Sequence, residues 1–171
     1  TLSGVHVRNT GRGNIAATNV ARVLGKGLGL LTLFADTAKG FVPVFVAQRL
    51  AMSDLAVALV GVSAFLGHLY PVFLRFQGGK GVATAFGALL AIAPAAPVVL
   101  ALFFGAAVLV SRIASLGSIT AALVAPVVLW ALSYAPVFVA MGAFLGAMVI
   151  VRHRENIKRL RSGTEPRFRA R

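Results

Sequence analysis

Two long stretches of this chain carry no charge at all: Gly81 to Val110, 30 residues, and Leu116 to Val151, 36 residues. A helix rising about 1.5 Å per residue crosses a hydrocarbon core of ~30 Å in about 20 residues, so the second stretch is too long for a single crossing. Two earlier apolar runs, Gly27 to Leu50 and Leu55 to Leu74, are each the right length for one. With 58% hydrophobic residues, a mean hydropathy of +0.89 and four acids among 171 residues, a soluble domain that hides its apolar surface is excluded.

Charge placement determines how the long stretches divide. Arg8, Arg12, Arg22 and Lys26 precede the first run, Arg75 and Lys80 lie in the second gap on that side, Arg112 in the third, and eight cations from Arg152 to Arg171 follow the last run. Splitting one stretch alone would send that tail to the face opposite the first cluster, against the tendency of Lys and Arg to stay on one side. Both split, or neither does. Splitting neither still leaves 14 cations against 2, so length decides for six spans, with 15 cations inside and Arg49 alone outside. The short third and fourth helices are expected to join at a tight turn, Ala93-Pro94-Ala95-Ala96-Pro97, and the last two to part at Tyr134-Ala135-Pro136. The expected fold is an all-α polytopic membrane bundle forming a single domain over 1–171, with 1–26 and 152–171 as cytoplasmic segments.

The net charge of +13 belongs to the membrane borders rather than to one face of a soluble fold, so nucleic acid is a poor partner for it. No cysteine is present, which removes thiolate chemistry. Three histidines and four acids never stand at metal-ligand spacing, and neither a metal nor any cofactor is expected.

Four polar islands interrupt the apolar pattern, all on the cation-rich face. The first runs from Arg8 to Arg22 and holds Gly13, Asn14, Thr18 and Asn19. Its Gly11, Gly13 and Ala16 imitate a dinucleotide fingerprint, but no strand precedes them and the acid about 20 residues on, Asp36, lies in an apolar run. Either a glycine turn entering an interfacial helix or a phosphate-binding set of donors fits these residues. In the first span Asp36 and Lys39 are three apart and share a helix face, as a functional pair or as a structural ion pair with Lys39 snorkelling. Pro43 is expected to kink that helix.

The second island contains Gly67-His68 and Gly78-Gly79-Lys80-Gly81-Val82-Ala83-Thr84. Glycines before a helix turn backbone N–H groups toward an anion, and the ammonium adds charge, although the spacing is not that of a nucleotide P-loop. Arg112, Ser115 and Ser118 mark the hydroxyl-rich third island. In the fourth, His153, Asn156 and Arg159 recur every three residues on one helix face before Gly163-Thr164-Glu165. Four islands rich in cations and glycine at one border can converge on a phosphorylated substrate.

Taken in order, Gly13-Asn14-x-x-Ala17-Thr18-Asn19-x-x-Arg22, Asp36-x-x-Lys39-Gly40, Gly67-His68 with Gly78 to Thr84, Ser115-Leu116-Gly117-Ser118, and His153-x-x-Asn156-Ile157-x-Arg159-Leu160 with Gly163-Thr164-Glu165 resemble the bacterial acyl-phosphate:glycerol-3-phosphate acyltransferase family over nearly the whole chain. The resemblance implies transfer of a fatty acyl group from acyl phosphate to the 1-hydroxyl of glycerol 3-phosphate, giving lysophosphatidic acid at the bacterial inner membrane, with the active-site loops and C-terminus cytoplasmic and a monomer favoured. It implies catalytic roles for His153, Asn156, Arg22, Lys80 and Ser115. Substrate contacts would come from Gly13, Asn14, Thr18, Asn19, Lys39 and His68. Further contacts would come from Gly78, Gly79, Gly81, Arg112, Ser118, Arg159 and Glu165. Lys80 and its glycines would take acyl phosphate, and Arg22, Asn19, His153 and Asn156 glycerol phosphate or the transition state. His153 is the protein's best candidate for a general base, with a substrate phosphate oxygen as the substitute.

Three departures stand out. Arg12 occupies the place of the family's usual active-site serine, Ala16 that of a glycine, and His6 that of an acid. The family also carries a span ahead of the first island, seven in all, which this chain is expected to have lost by truncation or divergence. The rival expectations are an inactive relative that binds lipid phosphates or a membrane partner, and a small anion transporter. The transporter reading conflicts with polar residues gathered at one border.

Overall fold

The computed structural model describes residues 17–168, and among these every regular element is helical. Eight α-helices follow one another: α1 Ala17–Leu24, α2 Lys26–Arg49, α3 Asp54–Leu69, α4 Val82–Ile92, α5 Ala95–Ser111, α6 Ala114–Ala131, α7 Pro136–Arg152 and α8 Arg154–Arg161. Lipid offers the backbone no hydrogen-bond partner, so apolar runs of this kind satisfy their peptide groups internally as helices.

Both uncharged stretches break, at or beside the proline-containing turns that the sequence suggests. The first breaks at Ala93-Pro94, between α4 and α5, and Ala95, Ala96 and Pro97 already belong to α5 rather than to the connecting turn. Pro97 is harmless there, because the first-turn N–H groups of a helix have no internal acceptor. The second breaks at Leu132 to Ala135, with Ser133 at φ 60° and Pro136 opening α7. Ser53 caps α3, its hydroxyl accepting from Ala56 N–H at 3.4 Å. Pro43 lies inside α2, which continues through it as one helix.

By length and apolar character, α2, Asp54–Leu74 and α6 can each cross a membrane, and α7 with α8 forms a fourth candidate bent by 59°. At 11 residues α4 is shorter than a full crossing, and α5 also falls below the length of the other three. By length alone, three or four complete crossings stand out among the described residues, with α4 and α5 as shorter apolar helices beside them.

Small residues set the closest packing. A Cβ on Gly40 of α2 would strike the Thr84 carbonyl of α4, and a Cβ on Gly87 of α4 would strike the Thr37 carbonyl of α2. The two backbones thus touch at two glycines one helix turn apart. Phe65, Leu69, Leu129, Leu145 and Val44 are fully buried between helices, while Leu31, Phe34, Leu109, Val110 and Trp130 point outward, as lipid-facing side chains do.

Candidate active site

Three islands meet at the ends of α3, α6 and α7. α7 stops at His153, whose N–H reaches the Val149 and Ile150 carbonyls at 3.0 Å, and the chain turns by 59° into α8. The turn carries Asn156 and Arg159 on one face of α8, and Gly163, at φ +69°, lets the chain double back. The Glu165 N–H donates to the Arg159 carbonyl at 3.2 Å, which brings the Glu165 carboxylate under α8.

That carboxylate is the hub. It accepts from Ser115 Oγ at 2.8 Å, from Asn156 Nδ2 at 2.7 Å and from Arg159 Nε at 2.6 Å. Ser115 lies in the first turn of α6, so one buried side chain ties α6 to α8. Asn156 then spends its other atom on the second island: Oδ1 accepts from Lys80 Nζ at 2.5 Å. A carboxylate on one side and an ammonium on the other leave the amide only one sensible orientation.

The loop carrying Lys80 is held by backbone. Gly78 N–H donates to the Leu69 carbonyl at 3.0 Å, and a Cβ on Gly79 would collide with the His68 ring. Gly81, at φ +80°, ends the loop against Phe65 and Leu69, a conformation and a space that only glycine fits. Asp36, buried on α2, accepts from Lys39 Nζ at 2.8 Å and lies 3.5 Å from His68 Nδ1.

A cavity of about 470 Å³ opens onto these groups. Asp36, His68, Lys80, Ser115, His153 and Asn156 form its polar end, and Leu89, Leu100, Phe104, Ala125 and Leu145 are part of its apolar wall. Small residues of α6 and α7, Ala121, Ala122, Gly142 and Gly146, make the room. Such a cavity suits a molecule with an anionic head and a hydrocarbon tail.

His153 is 2% exposed. Its Nδ1 lies 2.8 Å from the Val149 carbonyl, which can only accept, so Nδ1 carries the proton and Nε2 keeps its lone pair. Burial and the nearby Lys80 charge lower its pKa from 6.5 to about 4, against smaller opposing effects of the Val149 bond and Glu165. The imidazole is therefore neutral at physiological pH, and a value this far below the working range leaves it an acceptor more than a strong base. For Glu165, burial alone would raise the carboxyl, but bonds from Asn156, Ser115 and Arg159, with the Arg159 charge, outweigh it and hold it below 4.5.

Both shifts work in one direction. His153 resists protonation in the fold but not in the unfolded chain, so stability falls as pH drops from about 6.5 toward 4, and the Glu165 contribution is lost below 4.5. A melting temperature flat above pH 7 and declining steadily below 6.5 is the expected result. A profile unchanged down to pH 4 would contradict both assignments.

The glycerol-3-phosphate acyltransferase family profile matches residues 1–163. The chain belongs to that family. As a member of the acyltransferase family it is 53% identical to the glycerol-3-phosphate acyltransferase of Geobacter sulfurreducens over 169 residues, spanning 98% of this chain and 87% of that protein. It is 44% identical to the Aquifex aeolicus enzyme of the same description over 168 residues, 98% and 88% of the two chains. Among solved structures it resembles PlsY, an integral membrane glycerol 3-phosphate acyltransferase. The match to its glycerol 3-phosphate form has TM-score 0.94 and 43% identity, covering 98% of this chain and 84% of that one. The match to its lysophosphatidic acid form has TM-score 0.88 and 42% identity, covering 92% and 81%. The family and enzyme class implied by the resemblance, and the all-helical membrane fold read from the residues, hold.

Of the acyltransferase residues expected from the sequence, Lys80, Ser115, Asn156, Arg159 and Glu165 form one network, and His68, Gly81, Ser118 and His153 line the cavity beside it. Gly78 and Gly79 shape the Lys80 loop. Lys39 is 58% exposed and faces Asp36 outside the cavity wall, and Arg112 is exposed, offering its carbonyl to Phe168 N–H at 2.7 Å. Asn19 is buried on α1. Gly13, Asn14 and Arg12 lie outside the described residues, as do the side chains of Thr18 and Arg22. The sequence reading missed Arg152 as anything but an inside charge, and it left Asp36 out of the site although Asp36 borders the cavity. The apolar run around Asp36 was the available signal. Nothing local distinguishes Arg152 from its neighbouring cations.

Proposed function

We propose that this chain transfers a fatty acyl group from acyl phosphate to the 1-hydroxyl of glycerol 3-phosphate, forming lysophosphatidic acid and inorganic phosphate. The observation that carries the reading is the cavity itself, with Lys80, Asn156, Ser115 and His153 at one end and an apolar wall behind them. The glycerol hydroxyl oxygen attacks the acyl carbon, the carbon–oxygen bond to phosphate breaks, and the hydroxyl proton leaves with the phosphate. Acyl phosphate brings its own leaving group, so orientation and charge stabilisation are the main demands on the protein.

Lys80 supplies positive charge to a substrate phosphate, with Ser115 and Asn156 as hydrogen-bonding partners. His153, its Nδ1 proton committed to Val149, accepts the 1-hydroxyl at Nε2 and aligns it. A substrate phosphate oxygen is the better proton acceptor, because the imidazole pKa is about 4. His153→Ala is accordingly expected to lose about 10²-fold in kcat. Its pH–rate profile between pH 6 and 8 should also keep the shape of the parent chain's, since the substrate phosphate, with a second pKa of about 6, sets it in both. A pH–rate limb near neutrality that disappears in His153→Ala would restore a base role to the imidazole.

The decisive assay supplies purified chain with acyl phosphate and glycerol 3-phosphate and follows lysophosphatidic acid and phosphate in equal amounts. No product from an intact, folded chain would sink the reading. Six crossings, a monomer, an inner-membrane location and a cytoplasmic site complete the proposal; the one-sided distribution of cations supports the orientation. Because the chain has no cysteine, Ser162→Cys and Met52→Cys test it directly: only Met52→Cys should react with an impermeant reagent from outside.

A further inference from the structure

Arg152 precedes His153 but serves another part of the site. Its Nη2 donates to the Gly78 carbonyl at 2.9 Å and its Nε to the Gly79 carbonyl at 3.2 Å. The guanidinium lies 5.6 Å from the centroid of the Tyr70 ring, within cation–π range. Both bonded carbonyls belong to the two residues directly before Lys80. On the other side the same loop meets α3, through Gly78 N–H on Leu69 and the His68 ring on Gly79.

Glycines leave this loop free to adopt many conformations, and they bring no side chains to anchor it. Its position is therefore set from outside, by α3 at one side and by Arg152 at the other. A planar guanidinium fork suits two neighbouring carbonyls, whereas an ammonium offers one compact point of charge. Lys80 leaves the gripped loop and reaches Asn156.

We propose that Arg152 is a positioning residue, which clamps the Gly78–Gly79 backbone so that the Lys80 ammonium stands at the polar end of the cavity. The clamp rests on the reading of Lys80 as the phosphate-binding group. Arg152 itself touches no substrate. Its loss acts through Lys80, as weaker phosphate binding and a higher KM for a phosphorylated substrate.

A double-mutant cycle in the full chain tests this, with inorganic phosphate affinity as the first readout and KM and kcat of acylation as the second. Arg152→Met is expected to weaken phosphate binding about 10-fold when Lys80 is present and less than about 2-fold in Lys80→Met, where no ammonium remains to be positioned. Arg152→Lys should fall between the parent and Arg152→Met, with a change in KM larger than that in kcat. Equal losses in both backgrounds mean that Arg152 acts on the fold or on the ligand directly, and overturn the clamp. Unaltered binding in Arg152→Met overturns it too, as does a parent chain that binds no phosphate. If Arg152→Met does not fold, Arg152→Lys enters the same cycle under the same criterion. A parent chain that binds phosphate but forms no lysophosphatidic acid counts against acyl transfer and leaves the clamp standing.

Discussion

Lys80→Met is expected to slow lysophosphatidic acid formation by about 10²- to 10³-fold, the cost of removing one preorganised charge from a water-poor site. Its Nζ lies at the meeting point of the second and fourth islands, bonded to Asn156 and bordering the cavity. A second, independent readout follows from the same charge. Lys80 is one of the two causes holding the His153 pKa near 4, and burial is the larger. Removing the ammonium should therefore raise the imidazole pKa toward 6.5 without reaching it, which nuclear magnetic resonance of the labelled ring can follow. A variant that keeps more than half of the parent rate, with an unmoved imidazole, would place Lys80 outside the chemistry.

The largest expected effect on stability comes from the contact of α2 with α4. Gly40→Val and Gly87→Val each drive a side chain into a carbonyl of the facing helix, a rigid neighbour that cannot turn aside as a side-chain tip can. Overpacking of this kind costs about 1–3 kcal/mol and sometimes more. For a chain of this size 3 kcal/mol corresponds to a fall of roughly 6–12 °C in melting temperature. Gly105→Val, with open space around its Cβ position, is the control and should shift little. If all three variants melted together, the close approach of α2 and α4 would not be what holds them.

Helix existence and the two interrupted stretches were legible because lipid imposes so few solutions: an uncharged run is helical, and its length and flanking cations restrict where it must end. Pro43 does not end α2, because a proline inside a long membrane helix is tolerated when neighbours satisfy the freed carbonyl. The shortness of α4 was not legible: its 11 residues line the cavity and fall short of the usual crossing length, because the break at Ala93-Pro94 divides the stretch unevenly. His153, Asn156 and Arg159 were found by their spacing of three, a local property of α8. Arg152 was invisible for the opposite reason. Its partners, Gly78 and Gly79, lie more than seventy positions away, and a cation among eight at a membrane border looks like topology. Glu165 could be listed with its motif, but only the return of the chain after Gly163 reveals that it joins α6 to α8.

Glu165 lies C-terminal to every helix of the described residues, yet Ser115, Asn156 and Arg159 all donate to its carboxylate. During synthesis all eight helices are polymerised before this carboxylate is added. A released chain that ends before Glu165 would thus hold its cavity walls without the group that orders its polar end. Acylation competence should therefore depend on this late residue, so that released chains ending just before Glu165 bind membrane normally while leaving both substrates untouched.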